Sequence, residues 1–217
     1  MKGLITKDFI NISKSFWVIG VLVIFYGAIS FVSDSPSSFS GLFTLIIAMY
    51  MLSTYSLDEM AKWDIYALTM PLTRDKLVQG KYLMMLILSF MGFLLNMVVL
   101  LTLNILTKSE SLFDGIEIAV VGAVLVIVFY SIVIPFITNL GIVKARLYFI
   151  IIYMVPFMAG SFISKRIKAS NTNPPDGLIT FIEVVIKNAY IIVPLIMIAA
   201  LGISYFISIR IYRKKEF

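Results

Sequence analysis

The side chains that could do chemistry are concentrated in one charged segment between two long apolar stretches, from residue 58 to residue 74. Its candidate residues are Asp58, Glu59, Lys62, Trp63, Asp64, Tyr66 and Arg74. The chain contains no histidine and no cysteine. This excludes Ser-His and Cys-His nucleophilic pairs, zinc fingers and disulfides. The chain is therefore not predicted to be an enzyme.

The only candidate phosphate-binding sequence is Gly80-Lys81, and it does not fit. A phosphate loop needs a second, upstream glycine and a Ser or Thr directly after the lysine, whereas Tyr82 follows Lys81. We therefore expect this chain to bind no cofactor.

Composition indicates which elements must hold the charged segment. Of the 217 residues, 60% are hydrophobic and 14% charged, against roughly 45–50% and about 25% in soluble domains. A bilayer-spanning helix needs about 20 mostly apolar residues. Six stretches are near this length, so the sequence predicts a single-domain, all-α membrane protein over residues 1–217. The predicted spans are Phe16–Val32, Gly41–Leu57, Tyr82–Leu106, Ile116–Thr138, Leu147–Ile163 and Tyr190–Ile209.

Basic residues predict the orientation of these spans. With the N-terminus inside, 13 of the 18 Lys and Arg residues fall on the cytoplasmic side and 5 outside. The positive-inside rule then predicts that both termini are cytoplasmic in a multi-pass protein of the cell membrane. The basic residues flank the spans and form no separate patch, so a nucleic-acid partner is not expected.

Two amphipathic helices are predicted on the cytoplasmic side. In the first, Ile5, Phe9, Ile12 and Phe16 share one face, which suits a helix in the headgroup layer. This N-terminal helix would either tether the chain to the membrane or have a specific docking role. The second covers 58–70 and ends before Pro71. Thr73 is then predicted to cap the next helix.

Polar side chains within the spans are few. Ser89, Asn96 and Asn104 lie close to one face of the third span. They would either line a polar path or hold helices together by hydrogen bonds, and the second use is the more common one.

The charged segment also resembles a known signature. Lys62, Trp63, Tyr66, Pro71 and Arg74, followed by Lys81-Tyr82, stand at the spacing found between spans two and three of ABC-2 type permeases. The similarity is to the short six-span kind, which includes exporters of phenol-soluble modulins and antimicrobial peptides. The layout of the whole chain is similar as well.

The resemblance implies that transport and ATP binding belong to different chains. This chain would be the membrane subunit of an ATP-driven exporter of amphipathic peptides or other hydrophobic compounds, paired with a second permease chain. A separate ATP-binding subunit would carry ATP and Mg²⁺. Asp58–Thr69 would be the coupling helix that docks on it, with Trp63 and Tyr66 as anchors and the charged residues setting the register.

Other functions remain open at this point. A drug or ion efflux permease and a non-transporting immunity or sensor protein would both share this scaffold. A secondary transporter is less favoured, because such proteins keep ionisable groups near the bilayer midplane and these spans have none there.

Overall fold

A computed structural model describes residues 2–14, 16–32, 44, 47–107, 112–145 and 188–215, with 148, 154 and 158. These residues form helices and no strands. We number the helices in chain order. They are α1 (Lys2–Ser13), α2 (Phe16–Val32), α3 (Tyr50–Met60), α4 (Trp63–Thr69), α5 (Arg74–Thr107), α6 (Leu112–Leu140) and α7 (Ala189–Lys214). The predicted all-α class is confirmed for this part of the chain.

Three of the described helices are long and apolar enough to cross a membrane. They cover Arg74–Thr102, Ala119–Leu140 and Ile192–Lys214 and correspond to predicted spans three, four and six. A fourth candidate is the pair Lys2–Ser13 and Trp17–Phe25, which is bent by 63°. Predicted span five, almost all of 147–163, and the start of span two lie outside the described residues. The chain is a membrane protein, and the count of six spans stays a prediction.

Helix α5 begins eight residues before the predicted span. Its start follows the capping pattern expected from the sequence, because the backbone N–H of Lys76 donates to Thr73 Oγ1 at 3.4 Å and Asp75 lies in the first turn. Arg74 reaches across to the end of α7. Its guanidinium donates to the carbonyls of Arg213 at 2.6 Å and Lys215 at 3.0 Å, which a helix C-terminus otherwise leaves without partners.

The core is a bundle of α5, α6 and α7, in which α6 packs against both neighbours. Pro135 lies inside α6. Proline has no N–H, so the carbonyl of Ser131, four residues earlier, loses its helical donor. Ser204 of α7 donates its hydroxyl to that carbonyl. The oxygen freed by the proline is thus satisfied from another helix, as membrane interiors require.

The hydroxyl network extends to the third helix. Tyr82 of α5 lies with its hydroxyl 2.5 Å from Ser204 Oγ and 2.9 Å from Ser208 Oγ. All three side chains are buried. The network therefore joins α5, α6 and α7 at one level of the bundle.

Replacing Ser204 by Ala is expected to lower the free energy of unfolding by about 1.5 kcal/mol, near the upper end for membrane hydrogen bonds. The Ser131 carbonyl would lose its donor in an apolar interior. Denaturant titration in micelles measures the loss. Ser208→Ala is the matched control and should cost less, because no carbonyl freed by a proline depends on it.

A Pro135→Ala background tests whether the Ser131 carbonyl, freed by the proline, causes the loss in Ser204→Ala. Alanine restores the helical N–H, so Ser204→Ala should cost clearly less in that background than in the wild type. An unchanged cost would contradict the role of the freed carbonyl.

Candidate functional site

The charged segment of the sequence is not one helix in the structure. The prediction placed a single helix over 58–70, whereas α3 continues to Met60 and α4 begins only at Trp63. Lys62 between them has φ 48° and ψ 39°, the left-handed conformation that ends an α-helix. Residues 58–60 therefore extend α3, and the seven residues of α4 leave it at a sharp turn.

Asp58 lies inside the protein at the end of α3. Its Oδ1 is 2.5 Å from Lys7 Nζ of α1, and its Oδ2 is 2.6 Å from Lys81 Nζ of α5. The second contact is an ion pair without hydrogen-bond geometry. The helical Asp58–Lys62 pair that the spacing allows is thus replaced by two ion pairs to other helices.

Asp8 completes this group, which we call the charge cluster: Lys7, Asp8, Asp58 and Lys81. The Asp8 carboxylate lies 3.0 Å from Lys7 Nζ and 3.1 Å from Lys81 Nζ. Both aspartates are buried, and the two lysines keep only 21% and 15% of their side-chain surface exposed. Two positive charges therefore face two negative charges, which is the arrangement that buried ions require.

The charge cluster also explains the placement of α1. The sequence predicted a helix lying in the headgroup layer on its apolar face. In the structure Leu4, Asp8 and Ile12 form the buried face, and α1 packs on α3 and α5. Asp8 is four residues from both Leu4 and Ile12, so the three side chains share one face of α1. That face does not face lipid, because a buried carboxylate needs a cation beside it. A location of α1 at the membrane surface stays a prediction.

Two aromatic rings flank the lysines of the charge cluster. Lys7 Nζ lies 4.3 Å from the centroid of the Trp63 ring, and Lys81 Nζ lies 4.9 Å from that of Tyr55. Both distances are within the range of cation–π attraction. Trp63 is half-buried and its ring centroid is 5.6 Å from that of Tyr66. Lys7 thereby connects α1 to the first residue of α4.

Glu59 forms a separate anchor beside the charge cluster. Its Oε2 accepts a 2.6 Å hydrogen bond from the backbone N–H of Ile142, directly after α6. Gly141 turns the chain there with φ +78°, and a Cβ on it would lie 3.1 Å from Glu59 Oε1. Glycine fits this position because it adopts positive φ and leaves room for the carboxylate. The anchor ties the end of α3 to the end of α6.

A cavity of about 320 Å³ lies among these groups. Its lining includes the charge cluster, Glu59, Trp63, Asp64 and Tyr212. The described residues contain no group of three or more acidic side chains placed to hold a metal ion. Every acidic residue of the charge cluster faces a lysine.

The predicted site residues thus fall into two sets. Asp58, Glu59 and Arg74 are engaged within the protein. Lys62 and Tyr66 are exposed, while Trp63 and Asp64 are half-buried. Sequence reasoning missed Lys7, Asp8 and Lys81. A signal for Asp8 was its position between Leu4 and Ile12 on one helical stripe, where an isolated carboxylate requires a buried cation.

The three polar residues predicted for the third span differ in their burial. Ser89 and Asn96 are buried on one face of α5, and Asn104 is partly exposed. Gly92, between the first two, packs near Thr44: a Cβ there would lie 3.4 Å from the threonine side chain. A small residue with buried polar neighbours is typical of close helix packing. The Ser89 hydroxyl has no hydrogen-bond partner among the described residues, so the choice between packing and a path stays a prediction.

Comparison with known proteins covers almost the whole chain. Residues 3–213 match the family model described as ABC-2 family transporter protein. No curated protein and no solved structure gives a match. Members of this family work with a separate ATP-binding subunit. The match includes the charge cluster, the turn at Lys62 and the three-helix bundle, and the chain therefore belongs to the ABC-2 transporter family.

Proposed function

We propose that this chain is the permease subunit of an ATP-driven exporter and that the turn between α3 and α4 docks on the ATP-binding subunit. We define the docking patch as Met60, Lys62, Ile65 and Tyr66. ATP and Mg²⁺ would be bound by the partner, and this chain would have no enzymatic activity of its own. The patch replaces the continuous coupling helix over Asp58–Thr69 that the resemblance implied.

The observation that carries this proposal is the exposure of the docking patch. Met60 is 80% exposed, Tyr66 56% and Ile65 50%. They stand beside the exposed ammonium of Lys62. Exposed aromatic and apolar side chains with a charged neighbour are the usual composition of protein-binding hot spots. Tyr66 is the natural anchor, because Trp63 is already engaged with Lys7.

The anchors next to the docking patch give it a mechanical connection to the membrane helices. Asp58 and Glu59 directly precede Met60, and they contact α1, α5 and the end of α6. A partner that pulls on α4 would act on these contacts and on the contact of Trp63 with Lys7. Packed helices with two discrete arrangements transmit such a movement.

The direction of transport, the cargo and the assembly are part of the same proposal. We propose export of amphipathic peptides or other hydrophobic compounds, since the described spans have no ionisable residue near their centres. Six spans, cytoplasmic termini and a location in the cell membrane follow from hydropathy and basic flanks. A second permease chain, identical or related, would complete the pathway, as the resemblance to peptide exporters implies.

The test is co-expression with a candidate ATP-binding subunit, followed by affinity purification. Tyr66→Ala is expected to weaken the complex at least tenfold, since truncating an aromatic hot spot commonly costs about 2 kcal/mol or more. Phe206→Ala is the matched control, because Phe206 is an exposed aromatic residue of α7, outside the docking patch. It should leave the complex unchanged.

Vanadate-sensitive ATPase activity of the complex in lipid then tests the cargo. Stimulation by amphipathic peptides supports peptide export. A complex that assembles but ignores peptides would support drug or ion efflux. If Tyr66→Ala and Phe206→Ala behave alike, the docking patch is wrong. If no complex forms, the exporter proposal is wrong as well, and a non-transporting accessory protein becomes the better description.

A further inference from the structure

A groove runs between α6 and α7 on the outer surface of the bundle, with a volume of about 410 Å³. Ile132 and Phe136 of α6 form one wall, and Ile203 and Ile207 of α7 form the other. Of the ten described residues that line it, seven are apolar. The volume is within the range of small-molecule sites, roughly 300–1,000 Å³.

The two buried polar side chains of the groove, Ser131 and Ser204, already use their hydroxyl hydrogens, and the third polar residue of the lining, Asn139, is exposed. Ser131 donates its hydroxyl to the carbonyl of Ile127 at 2.8 Å, and Ser204 donates to the carbonyl of Ser131. An apolar groove with satisfied hydroxyls, on membrane-spanning helices, suits a hydrocarbon chain.

The wall contributed by α7 changes character toward the end of the helix. Ile203, Ile207, Arg210 and Lys214 follow one another at intervals of four, three and four residues, so they share one face. The first two are apolar and line the groove. Arg210 and Lys214 are exposed. Lys214 therefore stands beyond the last residue of α7 that lines the groove, Ile211, and Arg210 is level with that residue.

We infer that this groove is a binding site for an anionic phospholipid, with an acyl chain between α6 and α7 and the phosphate on Arg210 and Lys214. Basic residues at the membrane surface between spanning helices bind anionic headgroups. Arginine suits phosphate in particular because its planar donors form two parallel hydrogen bonds. The site is separate from the docking patch and does not depend on the proposed export function.

The test uses the full-length protein in nanodiscs of equal parts phosphatidylglycerol and phosphatidylcholine. The protein is then extracted in mild detergent, and its retained lipids are counted by native mass spectrometry. The Arg210→Gln/Lys214→Gln variant is expected to lower the retained ratio of phosphatidylglycerol to phosphatidylcholine by roughly tenfold or more, since each basic residue contributes about fivefold. Lys2→Gln/Lys14→Gln, at the two ends of the α1 segment, is the charge-matched control and should change the ratio less than about twofold.

Filling the groove tests the acyl chain independently. Ala200 lines the groove, so Ala200→Trp should reduce the number of retained lipids of either headgroup. Leu195→Trp introduces the same ring at an exposed position of α7 outside the groove and should have no effect. An equal loss in both charge variants would show general surface attraction and overturn the site. An altered oligomeric state with unchanged lipid in Ala200→Trp would overturn it too, in favour of a second copy in the groove.

Discussion

Asp58→Asn is expected to lower the free energy of unfolding by about 3 kcal/mol, because it removes one charge from a buried network and leaves the others without compensation. In the variant Lys7 and Lys81 would share the single carboxylate of Asp8. The expected loss is at the lower end of the range of about 3–5 kcal/mol for broken buried pairs, since both lysines keep partial access to water. Denaturant titration in micelles and thermal inactivation of the complex both measure it.

An exposed pair gives the matched control for this prediction. Asp75 accepts from Arg213 at the surface, where 62% of the arginine side chain is exposed. Water and salt screen such a pair, so Asp75→Asn should destabilise the protein far less. A loss in Asp75→Asn as large as that in Asp58→Asn would contradict the importance of burial.

Removing the whole charge cluster tests whether the stability lost in Asp58→Asn comes from unbalanced buried charge or from the loss of direct contacts. Lys7→Met, Asp8→Asn, Asp58→Asn and Lys81→Met together leave no buried ion without a partner. Replacing a complete buried network is often close to neutral, whereas breaking it is costly. The quadruple variant should therefore recover much of the stability that Asp58→Asn loses. If it is less stable than the single variant, direct contacts rather than charge balance hold α1 in place.

The sequence was sufficient for those parts of the fold that depend on local physics. Hydropathy alone placed spans three, four and six, and Thr73 was correctly identified as the start of α5, because an N-cap needs only its own hydroxyl and the next turn. Helix α2 has the bounds expected from its apolar run. Such features are decided by residues within a few positions of one another, so no partner has to be known.

The candidate site was harder to predict because distant residues decide it. The spacing of Asp58 and Lys62 favours a pair within one helix, yet Lys7 and Lys81 lie 51 and 23 positions away in the chain and bind Asp58 instead. Periodicity gave no reason to end the helix at Lys62, since lysine is a good helix former. The turn there is a tertiary effect: Glu59 is held by Ile142, and Trp63 lies under Lys7.

Gly141→Ala is the second substitution with a large expected effect, a loss of about 3 kcal/mol in the free energy of unfolding. Two costs combine. A side chain at φ +78° costs roughly 1–2 kcal/mol of backbone strain. The new methyl group would also meet the Glu59 carboxylate at 3.1 Å, and displacing it would weaken the charged hydrogen bond to the N–H of Ile142.

Two comparisons test the origin of that loss. At Gly202 of α7 an added methyl group would have no atom of the described residues within 4 Å, and φ there is not positive, so Gly202→Ala should be neutral or slightly stabilising. In a Glu59→Ala background the steric part of the Gly141→Ala cost should disappear, while the backbone strain should remain. Full additivity of Glu59→Ala and Gly141→Ala would mean that the carboxylate does not occupy the space beside Gly141. In that case Glu59 would not anchor the end of α3 to α6, and a movement of the docking patch would reach the bundle through other contacts, the charge cluster among them.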